Sequence, residues 1–315
     1  MVMQDPNTLQ TNKSHCRTQC ETSVMLCEPS VFVGSREESS HASKDSHILV
    51  SSCSTSGYSI ERIGDYISKY DDRATFRSTR KGSRVVVKTF HKRADAAVLT
   101  AHHESKALKA CSTSPFVVQL NETFQDENYL YILLDDKQGC DLHTYIKNMC
   151  NGGHLTIRDV RFVLVEVLLG VRDLHAAGYI HRDLKHENIL LDSSGSVSIG
   201  DLGLAHPYGC AGRCYDVQGT PGYFPPELLL GEGVGPKGDV FALGVMLFEM
   251  ISGTSPFLSN DDNDFSCSNI FPYLHRVKAI LGKLTYCNSG HPDAVTDLVK
   301  GMIEVCSTSV VWSWE

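Results

Sequence analysis

An α+β fold, with strands in the first half and long helices in the second, follows from three features of this 315-residue chain. From Tyr58 to about Asp136 the apolar residues alternate in the manner of strands, interrupted once by a helical spacing over 94–110. Over 156–177 apolar residues recur every three or four positions, the stripe of a helix with one buried side. Over 239–252 almost every residue is apolar, which predicts a helix buried all round.

The elements follow in order. Residues 1–57 are rich in Ser, Thr, Asn, Gln and Cys without apolar periodicity, and are expected to be a disordered N-terminal extension. Arg84-Val85-Val86-Val87-Lys88 reads as a β-branched strand ending in a lysine. The 94–110 helix carries Glu104 sixteen residues after that lysine, with Leu108 one turn further on. Leu130-Tyr131-Ile132-Leu133-Leu134 is a central strand leading into the connecting segment Asp135-Asp136-Lys137-Gln138-Gly139, and Asp141 opens the next helix. Thr156-Ile157-Arg158-Asp159 is a capping box heading a helix to about Ala177, with Val160, Val163, Leu164, Val167, Leu168 and Val171 on its buried stripe. Residues 258–269 are polar and acidic, an exposed loop, and helical patterns over 271–283 and 293–305 end the chain.

Composition bounds the function. An apolar content of 42% suffices for a core from residue 58 onward, and the net charge of −8 argues against nucleic acid as a partner through bulk attraction. No apolar run approaches the roughly twenty residues of a membrane span, and the N-terminus lacks a secretory pattern, so no membrane is expected as a partner. The twelve cysteines are scattered and read as free thiols of a reducing compartment. Cys16, Cys20 and Cys27 lack a fourth ligand at zinc-finger spacing.

The most informative stretch is His181-Arg182-Asp183-Leu184-Lys185-His186-Glu187-Asn188, followed eighteen residues after Asp183 by Asp201-Leu202-Gly203. An acid, a cation, an amide and a second acid stand at fixed intervals, and in this the chain resembles the eukaryotic-type protein kinases. The resemblance implies a two-lobed kinase fold: a small antiparallel-sheet N-lobe with one helix over 58–136 and a larger, mainly helical C-lobe over 137–315. It implies transfer of the γ-phosphate of Mg-ATP to serine or threonine hydroxyls of protein substrates, in the cytoplasm or nucleus. Oligomeric state is not written in the motifs.

By the same resemblance Asp183 orients the acceptor hydroxyl and takes its proton, and Lys185 sits beside the transferring phosphoryl group. Asn188 and Asp201 offer magnesium the hard oxygen ligands it prefers. Lys88 contacts the α- and β-phosphates and pairs with Glu104; read alone, Lys88 is a strand end facing water and Glu104 a solvated helix face. Val86 and Ala74 cover the adenine from above and Leu190 from below, Leu134 guards the back of the pocket, residues 135–139 are the hinge, and Asp141 lies near the ribose. Gly219 to Glu227 resembles the substrate-docking end of the activation segment, and Thr220 with Lys185 is the serine/threonine-directed signature. Leu108, Leu120, His181 and Leu202 match the regulatory spine, with Asp239 beneath them. Glu187 and Glu249 stand where basic-directed members greet arginines before the target residue.

Several departures accompany the likeness. Ile63-Gly64-Asp65-Tyr66-Ile67-Ser68-Lys69, with Asp71 beyond, is read as the phosphate-covering loop. It keeps the first glycine only, with Tyr66 and Lys69 at the places of the second and third. The spacing from Gly64 to Lys88 is about two residues longer than the family's, predicting a longer loop. No arginine follows Arg276 to pair Glu227, which leaves a more exposed Glu227, another cation, or a shortened chain as open readings. Four residues before Thr220, where many kinases carry the activating phosphate, stands Asp216; it reads either as a built-in anion for Arg182 or as a solvated loop residue. The damaged loop leaves a pseudokinase scaffold as the rival reading.

Overall fold

Val85 and Val87 leave their strand on one side and Val86 and Lys88 on the other, so one run of apolar residues faces two different cores. This alternation recurs across the sheet that opens the computed structural model. The structure describes residues 33–34, 50–53, 58–60, 62–150, 154–208, 212–256 and 293–303.

The strands are β1 (Val33–Gly34), β2 (Val50–Cys53), β3 (Tyr58–Ile60), β4 (Arg62–Lys69), β5 (Arg73–Arg80), β6 (Ser83–His91), β7 (Leu120–Gln125) and β8 (Tyr129–Asp135). Six of them form one sheet in the order β1-β7-β8-β6-β5-β4, antiparallel apart from the short β1 edge on β7. Strand β8 is central and apolar throughout because both its faces are covered. Tyr131 and Leu133 join Phe76, Val85, Val87 and Phe124 outside, while Leu130, Ile132 and Leu134 pack inside. The inner face is closed by α1 (Asp95–Ala110), which presents Ala97, Ala101, Ala107 and Leu108. Three alanines in that stripe let the helix lie close to the sheet.

Strand β9 (Gln138–Asp141) and helix α2 (Leu142–Met149) carry the chain into the helical lobe, α3 being Ile157–Ala176. Thr156 caps α3, its Oγ1 accepting from the Asp159 N–H at 3.3 Å, a contact worth about 1 kcal/mol. The expected stripe is buried except Leu168, which is half-buried. Strands β10 (Tyr179–Ile180), β11 (Ile189–Asp192), β12 (Val197–Ile199) and β13 (His206–Pro207) frame the loops between them. Helices α4 (Pro226–Leu229), α5 (Pro236–Ser252) and α6 (Asp293–Ile303) complete the described chain. Phe241, Leu243, Val245, Met246 and Leu247 of α5 are almost fully buried among α3, α6 and β11–β12.

Several boundaries move. The connecting segment expected over 135–139 shortens, because Asp135 still pairs with Val85 and Gln138-Gly139 already belong to β9. Gly139 is needed there: a Cβ would lie 2.1 Å from the Leu191 carbonyl oxygen. Helix α5 begins three residues before Asp239, with Pro236 in its first turn. The expected disorder of 1–57 falls largely outside the described residues, where only β1 and β2 are described. The loop over 258–269 and the helix over 271–283 lie outside them altogether.

Candidate active site

The site is assembled on Asp239, a carboxylate placed by the first turn of α5 inside a nearly dry core. Its Oδ2 accepts from the His181 N–H at 2.8 Å and lies 2.7 Å from His175 Nε2, while Oδ1 accepts from the Arg182 N–H at 2.9 Å. Burial opposes its charge, yet these donors, led by His175, hold the carboxyl below the usual range. The backbone is thereby pinned where Arg182 adopts a left-handed φ of +72°. Fully buried His181 then accepts from the Asp183 N–H through Nδ1 at 3.2 Å, with Nε2 3.0 Å from the Gly200 carbonyl. One imidazole thus ties the catalytic loop to the strand end before Asp201.

Asp183 projects from this loop into a short network. Thr220 Oγ1 donates to its Oδ1 at 2.6 Å, the Lys185 ammonium lies 3.1 Å from its Oδ2, and Lys185 donates to Thr220 Oγ1 at 2.7 Å. Asn188 Nδ2 donates to the Asp183 carbonyl at 2.7 Å, so the amide presents its oxygen on the other side. Across the cleft Lys88 bonds Glu104, and it donates to Asp201 Oδ1 at 2.7 Å. Burial opposes the ammonium charge, but the two carboxylates outweigh it and push the Lys88 pKa up. Lys88 in turn holds the Asp201 carboxyl well below the usual carboxylate range. Glu104, almost fully buried, is pushed up by burial against the pull of Lys88. Asp201 itself sits at φ +50°, and its Oδ1 also accepts from the Gly203 N–H at 3.4 Å.

These groups open onto a cleft of about 530 Å³ between sheet and helices. Val86 and Leu134 lie at its roof and back, and Leu190 at its floor. Lys88, Asp141, Lys185, Asn188 and Asp201 line its wall. Asp141 caps α2, accepting from the Thr144 N–H at 2.8 Å. Leu108 and Leu202 pack in one cluster against half-buried Leu120, and His181 is tied to Asp239 through its backbone N–H.

The covering loop is corrected. The turn between β4 and β5 is Tyr70-Asp71-Asp72, closed by the Tyr70 N–H on the Arg73 carbonyl at 2.8 Å, and it contains no glycine. Gly64 lies back in β4, at φ +69° beside a bulge. Two bulges, between Ile63 and Tyr66 and between Tyr66 and Ser68, absorb the extra residues that predicted a longer loop. Of residues 63–69 with Asp71, Ile67 and Ser68 line the cleft. Ile63, Gly64, Asp65 and Asp71 are exposed, and Tyr66 turns outward, its ring edge-on to Phe76 at 5.9 Å with the Lys69 ammonium 5.0 Å from its centroid. Thr75 rather than Ala74 shares the roof, because Thr75 pairs with Lys88 and so points the same way. Arg77, two residues on, also lines the cleft and pairs with Asp136 at 3.4 Å. Counting in twos along β5 from the residue opposite Lys88 identifies both.

Of the two readings of Asp216, the structure favours the loop residue over the built-in anion for Arg182. Arg182 Nη2 donates to the Asp216 backbone carbonyl at 2.8 Å, so the carboxylate is not the group that answers the arginine. Glu227 is half-buried in the first turn of α4.

The protein kinase domain family matches residues 74–309, and this chain belongs to that family. It is similar to the human cAMP-dependent protein kinase catalytic subunit PRKX, 35% identical over 208 residues, 66% of this chain and 53% of that one. The cGMP-dependent protein kinase of Plasmodium berghei (strain Anka) is 37% identical over 193 residues, 61% of this chain and 20% of its own length. The cAMP-dependent protein kinase catalytic subunit of Dictyostelium discoideum is 30% identical over 228 residues, 72% of this chain and 33% of its length. The matches thus span about half the length of the human relative and less of the others. Protein kinases use ATP as phosphoryl donor with Mg2+. Among the described residues no helix is long and apolar enough to cross a membrane.

Proposed function

We propose that this chain is an active serine/threonine protein kinase. The observation that carries the reading is the Lys88 ammonium held between Glu104 and Asp201, which brings the sheet, helix α1 and the Asp201-Leu202-Gly203 turn into one arrangement. Asp183 then orients a substrate hydroxyl and accepts its proton. Lys185 and Thr220 hold that carboxylate in place, and Lys185 supplies positive charge beside it. The oxygens of Asn188 and Asp201 suit a hard cation and would hold magnesium. The metal, when bound, neutralises phosphate charge. Free Cys111, Cys140, Cys150 and Cys214 support an intracellular, reducing location.

The test is phosphate transfer from radiolabelled ATP to generic protein substrates by the intact chain and by Asp183→Asn. Transfer by the first and loss of at least about a hundredfold in the second is the expected result. Equal incorporation by both sinks the assignment.

Substrate preference follows from a pair of acids. Glu187 lines the cleft, and Glu249 accepts from the Tyr223 hydroxyl at 2.6 Å. Burial first, and Glu187 in addition, push the Glu249 carboxyl up. Two acids sharing one patch favour targets preceded by basic residues, and a peptide array without upstream arginine enrichment refutes this. The rival reading, a binding scaffold, is favoured by the turn without glycine, and Mg-ATP binding without turnover would establish it.

A further inference from the structure

Three basic side chains meet at the junction of α1 and the activation segment, and the chemistry above uses none of their charges. His103 on α1 and His206 on β13 stand edge to face, ring centroids 6.2 Å apart, and the Arg182 guanidinium acts on both. His103 immediately precedes Glu104, the partner of Lys88. His206 comes three residues after the Asp201-Leu202-Gly203 turn. Arg182 is held by its contact to the Asp216 carbonyl, and its buried Nε has no hydrogen-bond partner among the described residues.

The charges around the pair are mostly of one sign. Lys106 and His102 flank His103 on α1, and Arg182 faces both rings from the catalytic loop. Asp216 of the activation segment opposes them at His206. Burial first, then Lys106 and Arg182 at His103 and Arg182 and His103 at His206, push both imidazoles below the ordinary histidine pKa, so they are neutral at pH 7.5. Neutral rings pack edge to face; two imidazolium rings at this distance repel each other and Arg182.

We infer that His103 and His206 form a proton-operated latch between helix α1 and the activation segment. Unprotonated, the pair keeps α1 seated, and with it Glu104 on Lys88. Protonated, the pair drives α1 away and dismantles the Lys88 contact. The sign follows from linkage. The seated arrangement binds protons more weakly than one with the rings separated, so acidification selects the separated one, tenfold for each unit of pKa depression. Nothing in the activation segment between Asp201 and Thr220 is a serine or threonine, so the latch operates on a stretch without those phosphate acceptors. The inference rests on the kinase reading for its effect on turnover; the movement of α1 does not.

Hydrogen exchange over 95–110 in the full chain tests it, at pH 7.5 and pH 6.0, beside the His103→Gln/His206→Gln double variant. Comparing chains at one pH cancels the intrinsic dependence of exchange on pH. The expectation is similar protection at pH 7.5 and, at pH 6.0, exchange about fivefold faster in the native chain than in the variant. Equal exchange at pH 6.0 overturns the latch. Should thermal unfolding show the double variant unfolded, the single variants decide. Each keeps one imidazole and must recover part of the protection; if both exchange like the native chain, the latch is overturned. A chain that transfers no phosphate at any pH removes the kinase reading and leaves the exchange result standing.

Discussion

The Thr220 hydroxyl donates to Asp183 Oδ1 at 2.6 Å while accepting from the Lys185 ammonium at 2.7 Å, so a residue 37 positions downstream fixes the orientation of the catalytic-loop acid. Thr220→Val removes a hydrogen bond to a charged group, a contact worth about 1.5–3 kcal/mol. Steady-state kinetics should show turnover reduced about tenfold or more with KM for ATP little changed, and Thr220→Ser should restore most of it. A fall in ATP affinity alone would place Thr220 in binding.

Asp239 gives a pH prediction. Its folded pKa is depressed, so its contribution is fully present above the unfolded value of about 3.9 and is lost as pH falls through the folded one. Asp239→Asn should lower stability by about 2–4 kcal/mol at pH 7, since three donors lose a charged acceptor in a buried site. Denaturant titrations at several pH values should show the gap between native chain and variant narrowing below about pH 4. A gap independent of pH would mean that the charge does no bracing.

The turn without glycine predicts a gain of function. Asp71 and Asp72 place two carboxylates at the tip of the β4–β5 hairpin, and if that tip covers the triphosphate, side chains there would keep backbone N–H groups from approaching it. Asp71→Gly/Asp72→Gly should tighten Mg-ATP binding by about threefold to tenfold in calorimetry. Unchanged or weaker affinity would show that the hairpin tip does not cover the triphosphate.

Asp216→Asn tests the contact to Arg182. The arginine is answered by a backbone carbonyl that the substitution keeps, so turnover at pH 7.5 should change by less than about twofold. A several-fold loss would show that the carboxylate itself supports activity.

The candidate site residues were legible in the chain because they lie in local patterns that resemble the family's motifs. His181 to Asn188 is one turn of loop, and Asp201-Leu202-Gly203 another. Glu104 could be matched to Lys88 only through the resemblance to the kinases, which pairs a helix glutamate with the strand lysine; the residues alone left it a solvated helix face. The α3 and α5 helices were legible from their apolar periods, which encode a buried stripe and a fully buried cylinder.

What tertiary structure decided was register. Read linearly, Gly64 looks like a loop glycine; pairing of β4 with β5 through two bulges moves the turn to Tyr70–Asp72 and turns Tyr66 outward. A bulge has no local signature strong enough to count, because it is selected by the facing strand. Thr75 and Arg77 enter the cleft by the same pairing. The approach of His103 to His206 joins residues 103 positions apart in sequence, and only the packing of α1 against the segment after Asp201 creates it. Residue types and local spacing therefore determined which chemistry the chain carries. Long-range pairing, which depends on partners no local window contains, decided where each side chain points.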